Sequence, residues 1–159
     1  IDGMAVAKEL AAFAAENPYD LIIAGRESID YNGAMVPGML AALLDIAFVP
    51  NCVGLEVDGN NAVAEREIDG GREKLKGSLP MVIGGQKGLV EESDLKIPNM
   101  RGIMQARQKP FEVLSPKGSE NTTKDVLFEK PAPKAAVKLV PADDIDQLIE
   151  LLHKEANVI

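Results

Sequence analysis

Apolar residues recur at helical spacing near the start of the chain, where Val6, Leu10, Phe13 and Ala14 form one face and Lys8, Glu9 and Glu16 turn outward. Asp2 supplies a cap for this helix, and Asn17-Pro18 stops it. The short run Leu21 to Ala24 then reads as a strand. It leads into GRESIDYNGAMVPG at 25–38, a loop dense in glycine and polar groups. Pro37 suits the first turn of a second helix, which carries Met39, Leu40, Leu43 and Leu44. Helix, strand, loop and helix in that order predict an α/β chain on a doubly wound parallel sheet.

Beyond Ala47 the pattern changes to alternation. Val53, Leu55 and Val57, a turn at DGNN, and a second run through Ala62, Ala64, Arg66 and Ile68 predict an antiparallel hairpin. GREKLKGSLPMVIGG adds an edge-type strand and then a buried one, Met81 to Ile83, with Gly70 and Gly71 in a tight turn before them. From Lys87 to Pro110 the pattern is that of a surface loop with one helix, near Met100 to Gln108. FEVL, a Lys-, Ser- and Thr-rich stretch to Thr123 and KPAPK have the composition of an extended arm. A last helix follows, with Asp143 and Asp144 at its positive end and a stripe of Ile145, Leu148, Ile149, Leu152 and Ala156.

The bulk properties narrow the function classes. A chain of 159 residues with 46% hydrophobic and 26% charged content is sized for one ordinary core. A net charge of -8 opposes broad contact with nucleic acid or an anionic membrane surface, since neither is met without a basic stripe. No run approaches the ~20 apolar residues of a membrane span, so no membrane insertion is expected. Cys52 is the single cysteine and lies in the apolar run Phe48 to Val53, which suits a reducing compartment. The chain opens at Ile1 rather than Met, directly into a helix pattern, and is expected to be a piece of a longer one. His153, beside the terminal stripe and without a cysteine cluster, makes no metal site. NTT at 121–123 fits a glycosylation sequon that a reducing compartment renders incidental.

The loop at 25–38 carries the candidate chemistry. A helix N-terminus leaves backbone N–H groups unpaired, and Ser, Thr, Asp or Asn normally caps them. Here the cap position falls on Val36, Pro37 donates nothing, and the amides of Gly38, Met39 and Leu40 have no evident side-chain acceptor. A phosphate suits that place, with Arg26 adding positive charge. The alternative is that Asp30 or Asn32 folds back onto the same amides as a structural turn, and the residues alone leave the two readings level. Neither the dinucleotide glycine fingerprint nor a phosphate-loop lysine is present.

Taken in order, GRESID at 25–30, EREIDGG at 65–71 and IPNMRGIMQARQKP at 97–110 resemble the β (small) subunit of electron-transfer flavoprotein. The likeness runs from the first helix to AVKLV and the terminal helix, without the family's N-terminal part. It implies a Rossmann-like fold of the adenine nucleotide alpha hydrolase type. Residues 1–114 would be the C-terminal part of its nucleotide-binding domain, and 115–159 an arm and helix packing on a partner subunit. The function implied is electron carriage without enzymatic activity of its own. Electrons would pass from acyl-CoA or other dehydrogenases to a quinone reductase or other acceptor. The compartment implied is the cytoplasm, or the mitochondrial matrix in a eukaryote.

Carried onto this sequence, the resemblance makes Gly25, Arg26, Glu27, Ser28, Ile29, Asp30, Asn32, Gly33, Ala34, Met35 and Val36 the loop that wraps an AMP. In bifurcating members a second FAD takes that place, while the redox FAD of ordinary members sits mainly on the large (α) subunit. Ordinary members carry Asn, Gln and Thr at Ala34, Met35 and Val36, and bifurcating ones Ala, Gln and Val, so AMP and FAD both stay open. Glu67 matches a glutamate that pairs with an arginine of the large subunit. Ile97, Pro98, Asn99 and Met100 fall on the loop that docks dehydrogenases, with Ile97 at the anchor and an RG pair after Met100 that departs from common members. From the residues alone Ile97 reads rather as a buried plug, and Glu67 as a solvated strand carboxylate. The rival function is an adenine-nucleotide-binding regulatory domain with no redox role.

Overall fold

The computed structural model describes residues 1–134 and 136–159. They form two compact units, Ile1–Lys124 and Asp125–Ile159. In the first, α1 (Gly3–Glu16) leads to β1 (Leu21–Gly25), α2 (Val36–Leu44) and the long strand β2 (Ala47–Asp58). Then come β3 (Asn61–Ile68), β4 (Gly71–Ser78), β5 (Met81–Gly85) and, past a single 3-10 turn at Glu92–Asp94, α3 (Met100–Ala106).

The five strands make one mixed sheet in the order β1-β5-β2-β3-β4. β5 lies parallel between β1 and β2, while β2, β3 and β4 are antiparallel neighbours. This is the expected α/β, Rossmann-like arrangement with an antiparallel hairpin. β5 is buried from Met81 to Gly84 without alternation, as a parallel strand covered on both faces must be. Its Met81 and Ile83 close the core with Val49 and Cys52 of β2 and Ala62 and Ala64 of β3.

β2 serves two partners. Its first half follows β5 and its second half follows β3, with a register break between Val49 and Cys52 where Asn51 takes φ 49°. The hairpin turns fall where expected, at Gly59 (φ 56°) and at Gly70 (φ 84°), both in the left-handed region that glycine enters without steric cost. Cys52 is buried, its thiol facing the Gly54 carbonyl at 3.2 Å, and burial pushes its pKa up.

Three local expectations are corrected. The buried face of α1 is Ala5, Ala7 and Ala14, whereas Leu10 is 45% exposed. α1 packs on α2, and the side chains it buries are small ones. Glu9 is not turned idly outward, since it accepts the backbone N–H groups of Lys117 and Ser119 at 2.7 Å each. In the hairpin, Ala62 and Ala64 are buried but Val57 and Ile68 are exposed.

In the second unit the described residues before α4 (Ile145–Glu150) carry no regular structure, and the helix is capped by the Asp144 carboxylate on the Gln147 N–H at 3.1 Å. The predicted stripe does not continue in α-helical register beyond Glu150. Residues Leu151–Glu155 form a wider turn in which the Ala156 N–H donates five residues back, to the Leu151 carbonyl at 2.9 Å.

Candidate functional site

The starts of α1 and α2 meet beside the C-terminal end of β1, where ligands settle in open α/β sheets. A Cβ placed on Gly3 would lie 3.5 Å from Val36 Cγ2, which measures how closely the two helix starts approach. Between them opens a cleft of about 770 Å3, with the loop after β1 and the pair Thr122 and Thr123 completing its lining. The volume lies within the ordinary range of small-molecule sites, ~300–1,000 Å3.

The two helix starts are finished in opposite ways. At α1, Asp2 Oδ1 accepts the Ala5 N–H at 2.8 Å. At α2 the cap is Met35, one residue earlier than expected, and no side chain caps it. Met39 N–H already donates to the Met35 carbonyl at 3.0 Å, so it is not among the open amides. Leu40, a turn into the helix, is likewise withdrawn from the expected set. Val36 and Gly38 keep N–H groups with no acceptor among the described residues, and the helix dipole makes them a seat for an anion.

The structural-turn alternative for the loop is not realised. Asp30 is held below the usual carboxylate range by the Ser28 hydroxyl and then by its own and the Tyr31 backbone, and it does not cap α2. Asn32, at φ 48°, donates its N–H to the Ser28 carbonyl at 2.8 Å. Ala34 also takes a left-handed φ of 50°. An alanine there costs about 1–2 kcal/mol, a strain of the kind that gathers at ligand sites.

Of the eleven loop residues expected here, Gly25, Arg26, Glu27, Ser28, Asp30, Gly33, Ala34, Met35 and Val36 line the cleft. Ile29, 96% exposed, and Asn32 do not. The Arg26 guanidinium is paired with the Glu27 carboxylate, so it is not a free cation. No local pattern marks Met4, Val6, Thr122 and Thr123 as part of the lining, and the last two lie 120 and 121 residues from Asp2, which they meet.

Asp2 does more than cap. Its Oδ2 accepts the N–H groups of Thr122 and Thr123 and both hydroxyls, the hydroxyls at 2.9 and 3.1 Å. These donors, with the Ala5 amide as the largest contributor, hold the carboxyl far below its ordinary pKa although the group is largely buried.

Glu67 lines a second, polar cleft of about 530 Å3 with Arg26, Asn51, Arg66 and Gln86. Its carboxylate is only partly exposed and accepts from Gln86 Nε2 at 3.3 Å, so it is not the freely solvated strand residue of the simplest reading. Ile97 is 84% exposed, which removes the buried-plug reading, and Met100 beside it is also exposed. Asn99 caps α3 by accepting the Gly102 N–H at 2.9 Å, while Pro98 is exposed next to it. No group of three potential metal-ligating side chains occurs among the described residues. No helix among them is long and apolar enough to cross a membrane.

Residues 1–118 match the family model described as electron transfer flavoprotein domain. The chain is 34% identical to an electron transfer flavoprotein subunit beta of Bacillus subtilis, over 99% of this chain and 64% of that protein. It is 30% identical to the one of Bradyrhizobium diazoefficiens over 100% of this chain and 64% of that protein, and 32% identical to the human one over 88% and 56%. The chain therefore spans less than two thirds of the length of these relatives. A match over nearly three quarters of its residues, taking in both helices of the cleft and the whole sheet, places the chain in the electron transfer flavoprotein domain family.

Proposed function

We propose that this chain is the nucleotide-bearing part of the small subunit of a heterodimeric electron-transfer flavoprotein, with the adenylate of AMP or FAD in the cleft between α1 and α2. The observation that carries this reading is the family match over residues 1–118, which contains the whole cleft lining except Thr122 and Thr123.

The residues present fit such a group. The open N–H groups of Val36 and Gly38 suit a phosphate at the start of α2, and Met4, Val6 and Met39 give the same cleft an apolar surface for a base. The carboxylates nearby do not oppose it, since Asp2 is saturated by donors, Glu27 is paired with Arg26 and Asp30 is engaged by Ser28. Ala34, Met35 and Val36 offer no polar side chain, so phosphate recognition falls to the backbone. That leaves AMP and the adenylate half of FAD equally acceptable.

A flavin bound in the assembly supplies the redox chemistry. The chain's own work is to hold the adenylate, to receive the large subunit through the polar cleft around Glu67, and to present Ile97, Pro98, Asn99 and Met100 to a dehydrogenase. In this reading residues 1–114, joined by Thr122 and Thr123, carry the nucleotide and the rest of 115–159 forms an arm against the large subunit, in the bacterial cytoplasm or mitochondrial matrix. Electrons leave to a quinone reductase or another acceptor.

Mass spectrometry of the small molecules released on denaturing the protein co-expressed with its large subunit tests the reading. One FAD with one AMP per heterodimer is the outcome for an ordinary carrier, and two FAD for a bifurcating one. A colourless preparation without adenylate overturns the proposal.

A further inference from the structure

Residues 117–123 have no regular secondary structure, so their place beside α1 must be held by something other than a ladder of backbone bonds. It is held by three carboxylates, Glu9 and Glu16 of that helix and Asp2 at its cap. Glu9 accepts the N–H groups of Lys117 and Ser119, and Glu16 pairs with Lys117 Nζ at 2.7 Å. Asp2 accepts the N–H groups and hydroxyls of Thr122 and Thr123, while its own N–H donates to Asn121 Oδ1 at 2.9 Å. Thr122 and Thr123 then stand in the lining of the cleft opposite the open start of α2.

We infer that Asp2 is a positioning residue for the ligand. Through Thr122 and Thr123 its carboxylate fixes a wall of the cleft, and so sets how tightly an adenine nucleotide is held. The inference rests on the nucleotide reading above and adds a residue outside the loop that wraps the ligand. Asp2 also lines the cleft, but both of its carboxylate oxygens are taken by donors of the protein itself. One of its oxygens finishes α1 and the other holds the wall, which divides the two roles between two atoms.

That division makes Asp2→Asn the informative variant. Asparagine caps a helix about as well as aspartate, so the bond to the Ala5 N–H survives. The amide nitrogen that replaces Oδ2 cannot accept the N–H groups of Thr122 and Thr123, and although their hydroxyls can turn to accept from it, the backbone of the wall loses its charged acceptor and is released. AMP affinity of the protein, stripped of bound nucleotide, is measured by calorimetry, and the amide exchange of Ala5, Thr122 and Thr123 is followed alongside.

The expected result is faster exchange at Thr122 and Thr123, retained protection at Ala5, and AMP binding weakened about tenfold, the scale of losing charge-assisted hydrogen bonds from a site wall. Thr122→Val, which keeps the amide donor to Asp2 and loses the hydroxyl, weakens AMP binding less than Asp2→Asn does. Equal AMP affinity in wild type and Asp2→Asn, with the exchange change present, overturns the inference while leaving the nucleotide reading intact. Protection unchanged at Thr122 and Thr123 overturns it as well, because the wall would then not depend on Asp2. A wild-type protein that takes up neither AMP nor FAD overturns the nucleotide reading and this inference together.

Discussion

At the scale of single residues, Met39 separates ligand binding from folding most cleanly. It lies in the first turn of α2 and lines the cleft. An aspartate in a helix first turn is favoured by the dipole, so Met39→Asp does not weaken α2 through its backbone. The same negative charge stands against a bound phosphate and lowers nucleotide affinity by roughly tenfold at low salt, less as salt rises. Met39→Leu, which keeps volume and charge, leaves affinity near wild type. Calorimetry of both variants at two salt concentrations, with thermal unfolding as the companion measurement, gives the answer. Unchanged affinity in Met39→Asp removes the phosphate from the start of α2.

At the scale of elements, the chain from 117 to 123 depends on carboxylates whose pKa values are lowered in the folded state: Asp2 by the Ala5 amide and the two threonines, Glu9 by the Ser119 and Lys117 amides. A carboxyl whose folded pKa lies below its unfolded one contributes stability that is fully present above the unfolded value, about 4, and is lost as pH falls through the folded value. The segment therefore stays clamped at neutral pH and loosens progressively below about pH 4. Amide protection at Thr122 and Thr123, taken relative to the unfolded rate at each pH, is lost over that range, while β5, which holds no ionisable side chain, keeps its protection until the whole unit unfolds. In Asp2→Asn the protection at these two amides is already low at pH 7 and changes little with acid.

The same element shows what was legible in the sequence. Asp2 as a cap was readable because its acceptor serves an amide three residues on, and Pro37 placed the start of α2 to within a residue. Thr122 and Thr123 were not, because no local pattern encodes a partner 120 residues away. Periodicity found α1 but named Leu10 where close packing on α2 selects Ala5 and Ala7. Alternation revealed the antiparallel half of β2, while its parallel half, from Ala47, carries only an apolar run and its pairing with β5 had to come from the structure. In the site, glycine and polar density marked the loop correctly, yet Ile29 and Asn32 turn away from the cleft because the turn from Ser28 to Asn32 closes on itself.

At the scale of the whole molecule, the exposed apolar surface around α3 calls for an occupant, which the proposed function makes a dehydrogenase. Ile97 is 84% exposed, and Met100, Ile103 and Met104 are exposed beside it, more apolar surface in one short segment than folding alone explains. Because Ile97 buries little in this chain, Ile97→Ala shifts its unfolding free energy by no more than about 0.5 kcal/mol. As an anchor in a partner's pocket the same side chain is worth about 2 kcal/mol, a thirtyfold loss of affinity. Electron transfer from a dehydrogenase to the intact heterodimer, measured against dehydrogenase concentration, separates the cases. A half-saturating concentration raised roughly thirtyfold, with thermal unfolding and subunit assembly unchanged, assigns Ile97 to dehydrogenase docking. Heterodimers that fall apart on the substitution assign it to the large subunit instead, since an exposed side chain can destabilise an assembly only where another chain covers it.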